Sequence, residues 1–274
     1  MINIITALPC EARALIDHYR LQGNRRHNAF RCYQNDELQL IISGVGKIAA
    51  AIATTFLAAS APQRCSAWLN LGIAGHPHKP VGEPLFAHKI IDAATAQSFY
   101  PGIILSPPCP TAPLTTVDTP EQHYRENTMV DMEASGFYAA ASRFQSCELI
   151  HSLKIISDNQ AHSTDHITEK TVTAFIADNL NTIDAIITAL QPLAVQLENT
   201  KQPPAELYAF MERWRFTAYQ QNELRLLLRR WHALALDIPP DPRDFTDYKN
   251  GKAILIAIKD HLDAQPIRFE QASH

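Results

Sequence analysis

Residues 38–60 read LQLIISGVGKIAAAIATTFLAAS. A short apolar run, LQLIIS, stops at Gly44-Val45-Gly46-Lys47, and an alanine-rich stretch of helical character follows from 48 to 60. A strand running into glycines recurs at 67–75, where AWLNL meets Gly72-Ile73-Ala74-Gly75. Glycine is scarce elsewhere: nine in 274 residues, about half the usual share. Five of the nine (Gly44, Gly46, Gly72, Gly75 and Gly82) fall between 44 and 82. Glycine permits positive φ and close approach of backbone to a ligand, so this segment is where a site is expected.

Working outward, INIITA at 2–7 suits a buried strand, and Glu11 to Tyr19 has helical spacing with Ala14, Leu15 and Tyr19 inward. Residues 29–34 and 38–43 read as two strands joined through Asn35-Asp36. Downstream, 84–91 reads as a strand, 101–120 with its six prolines as a loop, and 134–144 as a helix. IHSLKII at 150–156 reads as a buried strand ending in Ser157-Asp158-Asn159, and 166–198 as one or two helices. Strands alternating with helices predict an α/β fold with a mostly parallel central sheet. NTKQPPA, near 199–205, reads as a linker. It divides a body, 1–198, from a helical extension, 199–274, with helices expected over 205–235 and 250–264.

Apolar residues make up 46% and charged residues 19%, which excludes a disordered chain. The formal charge of −4 provides no basic field for nucleic acid. Arg225, Arg229 and Arg230 form one basic helical stripe, but Leu224, Leu226, Leu227, Leu228 and Trp231 beside them suit packing or an oligomer interface better. No apolar run reaches the ~18 residues that span a bilayer. The start, MINIITALPCEARALI, lacks the basic region and cleavage site of a secretory signal. Five cysteines without a CxxC pair read as reduced thiols, so a cytoplasmic protein is expected.

Ligands of parallel α/β sheets bind at the carboxyl ends of strands. Three polar clusters are predicted there: Ser43 to Lys47, Asn70 to Gly75, and Ser157 to Asn159. The first presents backbone N–H groups at a helix start, suited to an anion or a polarised water, but has neither Walker A nor dinucleotide-fingerprint spacing. Asp158, at the end of LKII, suits either a turn cap or a desolvated carboxyl group holding a proton near neutral pH. Glu133 suits either the first turn of a helix or acceptance of hydrogen bonds from a vicinal diol such as ribose hydroxyls. Glu11 suits either a first-turn acid or a base that positions water. His76 and His78, at i, i+2 with no third ligand, read as loop polar groups, so no metal site is expected.

Taken in order, ALPCEARAL, LIISGVGKIAAAIATTFL, LNLGIAGHPHKPVGEPL, MVDMEASGFYAAA and LKIISDN resemble the purine nucleoside phosphorylase and nucleosidase superfamily. The pattern is most similar to the methylthioadenosine/S-adenosylhomocysteine nucleosidases and related short nucleosidase-like phosphorylases, and covers about residues 1–190. The resemblance implies a three-layer α/β fold with a mixed, mostly parallel sheet, and cleavage of the N-glycosidic bond of a purine nucleoside or thionucleoside by water or phosphate. It implies that Glu11 activates water, that Ser43, Gly44 and Gly46 form the turn near nucleophile and ribose, that Met132 packs on the ribose and that Glu133 binds its hydroxyls. Asp158, preceded by Ser157, would protonate the purine N7. Gly75 would lie in the cleft, and Lys154 would hold phosphate or water where an arginine is usual. No cofactor is implied, only inorganic phosphate as co-substrate for a phosphorylase; the partners implied are a purine nucleoside or base and further copies of the chain.

The sequence departs from the pattern at three places. Ile73 and His76 replace a hydroxyl residue and a glycine in the glycine segment, and Lys154 lacks the arginine fork. Only 48 residues separate Gly82 from Asp131, fewer than usual, so the segment that grips the base is shortened. Leu114 to Val117, or Phe99 and Tyr100, are the expected replacements. These departures and the extension also admit a non-catalytic nucleoside sensor or scaffold on the same fold.

Overall fold

The computed structural model describes residues 1–24, 29–60, 66–120, 127–163, 167–234 and 240–265. Its contacts divide the chain into two units, Met1–Glu198 and Asn199–His274.

The first unit is built on one mixed sheet. Its strands are β1 (Ile2–Thr6), β2 (Gln22–Asn24), β3 (Arg31–Gln34), β4 (Leu38–Ile42), β5 (Ala67–Gly75), β6 (Pro84–Asp92), β7 (Ser98–Phe99), β8 (Thr111–Thr116), β9 (Met129–Asp131) and β10 (Ile150–Asp158). β1 pairs in parallel with β4 and β5, and β5 in parallel with β10. β10 then pairs antiparallel with β6, which runs parallel to β8; β8 is parallel to β9, and β9 meets β5 antiparallel at Gly75 and Val130. The strands β5, β10, β6, β8 and β9 thus close into a ring, and β1, β4, β3 and β2 continue outward from β5.

Helices cover both faces. On one, Ala12 and Leu15 of α1 (Pro9–His18), Ile176 of α4 (Glu169–Asp178) and Ile183, Ile186 and Leu190 of α5 (Leu180–Lys201) pack on Ile2, Ile4, Leu69 and Leu153. On the other, Ala50, Ala53 and Leu57 of α2 (Lys47–Ser60) and Phe137 and Tyr138 of α3 (Ala134–Ala141) pack on Ile5, Trp68, Ile150 and Ile156. Alternate residues of each strand serve opposite faces, and every residue of β10 is buried. Burying one such aliphatic side chain stabilises by about 1.5–3 kcal/mol.

Three expectations are corrected. β5 does not stop at Leu71: it runs through Gly75, because β10 supplies hydrogen-bonding partners along its whole length. The proline-rich segment 101–120 contains strand β8. Pro113 lacks an N–H, and it is accommodated opposite Lys89 where the register shifts between Ala87 and Lys89. The helix expected over 205–235 is two helices, α6 (Ala205–Arg213) and α7 (Ala218–Ala233). Trp214 turns extended, and Thr217 restarts the helix with a capping box to Gln220.

In the second unit α6, α7 and α8 (Gly251–Asp263) enclose Leu207, Phe210, Leu224, Leu228, Trp231, Ile254 and Ile258. Leu224, Leu228 and Trp231 are therefore packing residues and Leu227 is partly buried beside them, whereas Leu226 is exposed; Arg230 of the basic stripe pairs with Asp263. Asn250 caps α8, and a Cβ on Gly251 would meet Phe216 at 2.6 Å. Among the described residues no helix is long and apolar enough to cross a membrane. Cys10, Cys32, Cys109 and Cys147 are free thiols, and Cys65 lies outside the described residues.

Candidate active site

The carboxyl ends of β5, β9 and β10 surround a cavity of about 250 Å³ in the first unit. Glu11, Asp131, Glu133 and Asp158 all line it, with Met132, Gly75 and Ser157. Leu8, Val45, Val117, Pro120 and Ile167 make its apolar wall. The predicted carboxylates at 11, 133 and 158, spread over 147 positions of sequence, thus meet in one crevice.

Glu11 sits in the first turn of α1 and is 3% exposed. Its Oε2 accepts hydrogen bonds from the N–H groups of Ala7 and Leu8, both at 2.9 Å, and its Oε1 from that of Ile73 at 3.0 Å. Ile73, which has no hydroxyl to donate, serves through its backbone. Gly72 makes this approach feasible: a Cβ there would lie 2.6 Å from Oε1. Burial raises the Glu11 pKa, against the pull of Lys154 and the three amides.

Glu133 closes the strand–helix junction between β9 and α3. Its Oε1 accepts from the Gly46 N–H at 2.9 Å. The anion at the start of α2 is therefore the protein's own carboxylate, a favourable placement at a helix N-terminus. Gly44 and Gly46 have φ of +85° and +103°, a conformation that suits glycine. The Gly44 N–H is bound to the Ala7 carbonyl at 3.1 Å, and the Ser43 hydroxyl donates to the Gly44 and Thr6 carbonyls. Ser43, Gly44 and Gly46 thus shape the wall and do not line the cavity. Burial, opposed by Lys154 and reinforced by Asp131, raises the Glu133 pKa to about 7.

Asp158 ends β10 beside Gly75. Its Oδ1 accepts from the Ser157 hydroxyl at 2.5 Å, and burial raises its pKa to about 6. It can carry a proton at nearly neutral pH while lining the cavity.

Lys154 is placed differently from expectation. It is 1% exposed, does not line the cavity, and its Nζ lies 2.8 Å from Asp131 Oδ2. What decides its surroundings is the end of β9, which brings Asp131 against it. Asp131 had no role in the motif pattern. Its Oδ1 accepts from the Thr116 hydroxyl at 2.7 Å and its Oδ2 from the Ala134 N–H at 2.9 Å. The available signal was its position at a strand end, two residues before Glu133.

Of the expected base-gripping residues, only Val117 reaches the cavity. Leu114 is buried in the core, Thr116 is bound to Asp131, Phe99 packs on Tyr138 at 5.2 Å, and Tyr100 is 64% exposed. His76 accepts from the His78 and Lys79 N–H groups through Nδ1, a loop role. Among the described residues no cluster of His, Cys, Asp and Glu is arranged to hold a metal ion.

Solved structures share this architecture. A 5′-methylthioadenosine/S-adenosylhomocysteine nucleosidase from S. pneumoniae, bound to a transition-state inhibitor, is 19% identical; the match covers 69% of this chain and 99% of that one, with a TM-score of 0.56. A 5′-methylthioadenosine nucleosidase from Arabidopsis thaliana is 14% identical over 69% of this chain and 95% of its own, with a TM-score of 0.58. The chain has the nucleosidase fold. Futalosine hydrolase of Helicobacter pylori shares it, at 17% identity, 68% and 97% coverage and a TM-score of 0.54. No protein-family model matches the sequence, and no curated protein matches it. Within this nucleosidase fold, the carboxylates at 11, 133 and 158 occupy strand and helix ends that open on one cavity.

Proposed function

We propose that this protein hydrolyses the N-glycosidic bond of a purine nucleoside or 5′-thionucleoside. The observation that carries the reading is the meeting of Asp158, Glu133 and Glu11 in one cavity. Bond cleavage leaves positive charge on the ribosyl ring and negative charge on the departing base. Protonated Asp158 donates to the base nitrogen, which neutralises the leaving group. Glu133 accepts hydrogen bonds from the ribose hydroxyls, and its charge favours the cationic ring. Glu11, held by three amides, accepts a proton from water as that water adds to the anomeric carbon. The apolar wall excludes bulk water from the base and the 5′ substituent. The reaction as written needs no cofactor.

Water is favoured over phosphate by charge. Among the described residues no lysine, arginine or histidine lines the cavity, and the carboxyl groups of Glu11, Glu133 and Asp158 face it. The Gly44 and Gly46 amides and the Lys154 ammonium already have partners. A phosphate dianion would meet repulsion with no compensating cation among the described lining residues.

The test is base release from methylthioadenosine and from inosine, with and without phosphate. The expected result is free base at a rate independent of phosphate. Binding of either nucleoside without turnover would instead identify a non-catalytic sensor. A strict phosphate requirement would identify a phosphorylase.

A further inference from the structure

Lys154 and Asp131 form a fully buried ion pair that the reaction above does not use. Both side chains are essentially without solvent contact, at 1% and 0% exposure. Removing two charges from water costs several kcal/mol per ion unless geometry and hydrogen bonding compensate. Here the pair is surrounded. Asp131 receives Thr116 from β8, Ala134 from α3 and Lys154 from β10, and itself ends β9. Thr116 in turn receives the Ser135 N–H at 2.9 Å. Four elements therefore converge on one carboxylate two residues before Glu133.

We infer that the Lys154–Asp131 pair is a positioning element, the counter-charge that lets Glu11 and Glu133 share one cavity as anions. Without it Glu11, Asp131 and Glu133 would stand as like charges in a buried space, and two carboxylates in one site do not both ionise readily. Lys154 faces Asp131, Glu133 and Glu11 electrostatically. Glu133 faces Lys154, Asp131 and Glu11, together with the Gly46 amide of the α2 start. Glu11 faces Lys154 and the amides of Ala7, Leu8 and Ile73. Asp92 does not line the cavity and is paired with Lys47 at 3.0 Å and with the Ser135 hydroxyl. Lys154 does not line the cavity; it acts through the carboxylates.

This inference rests on the hydrolase reading only for its kinetic arm. In Lys154→Met, proton affinity at Glu11 and Glu133 rises, so kcat/KM falls about tenfold at pH 6 and changes far less at pH 8.5. Lys154→Arg, which keeps the charge, preserves the wild-type profile. Asp131→Asn/Lys154→Met, which removes one like charge, recovers part of the loss at pH 6. The second arm needs no activity. In the variant the folded state holds protons that the unfolded state releases, so its stability falls as pH rises. The difference in thermal midpoint between wild type and Lys154→Met therefore widens from pH 5 to pH 8, and narrows again in the double variant. A pair that serves only packing gives a constant difference and a kinetic loss equal at both pH values, and either result overturns the inference. Absence of base release by the wild type would sink the hydrolase reading while leaving the thermal arm able to decide this one.

Discussion

Asp158 does its proposed work only while it carries a proton, and Glu133 only while it does not. Burial raises both, Asp158 to about 6 and Glu133 to about 7. As pH falls Glu133 is neutralised, and as pH rises Asp158 is emptied. The profile of kcat/KM is therefore a bell with its maximum between pH 6 and pH 7, whose limbs belong to the interacting carboxyl groups together and not to either residue. A plateau from pH 5 to pH 9 would contradict these roles. Asp158→Asn keeps the shape and removes the proton source, so kcat falls by about 10²- to 10⁴-fold while the thermal midpoint stays close to wild type. Full turnover in that variant would assign the acid elsewhere. At this scale the sequence was informative about type and order: the acids at 11, 133 and 158 could be picked out as chemistry. Their protonation could not, because desolvation is set by neighbours that the fold brings together from up to 147 positions away.

At the scale of elements, β5 carries the site's tightest contact. Its Gly72 faces Glu11 across a distance that admits no side chain, since a Cβ would stand 2.6 Å from the carboxylate oxygen. Gly72→Ala must push Glu11 off its three amides or displace the strand. Overpacking of this kind costs about 1–3 kcal/mol, to be read by chemical denaturation alongside a loss of base release. A variant with wild-type stability and turnover would show that Glu11 can relocate freely. The apolar stretches at 2–7, 48–60 and 150–156 were legible as elements because local pattern agreed with tertiary role. Strand β8 was not, since Pro113 and the prolines preceding it argue against a strand until β6 offers a shifted register. The break between α6 and α7 was equally hidden, because the capping box at Thr217 and Gln220 sits inside an otherwise helical composition.

For the whole molecule, the cavity and every residue that lines it belong to Met1–Glu198. The core of Asn199–His274 is built from its own aromatic and aliphatic side chains. We therefore expect a chain ending at Lys201, which keeps α5 entire, to release base from the same nucleosides as the full protein. Loss of activity in a truncated protein that still melts cooperatively would show that the extension contributes to catalysis.

The amino-acid sequence alone determined the alternation of strands and helices and the glycines that mark the ligand edge. It also determined which side chains have the chemistry to act there, because these depend on local periodicity and residue type. Tertiary structure alone decided that Lys154 serves Asp131 and not a substrate, that Glu133 caps α2, and that no cation among the described residues lines the cavity. Those outcomes depend on which face of a strand a residue occupies and on what distant segment covers it, and short-range pattern carries neither.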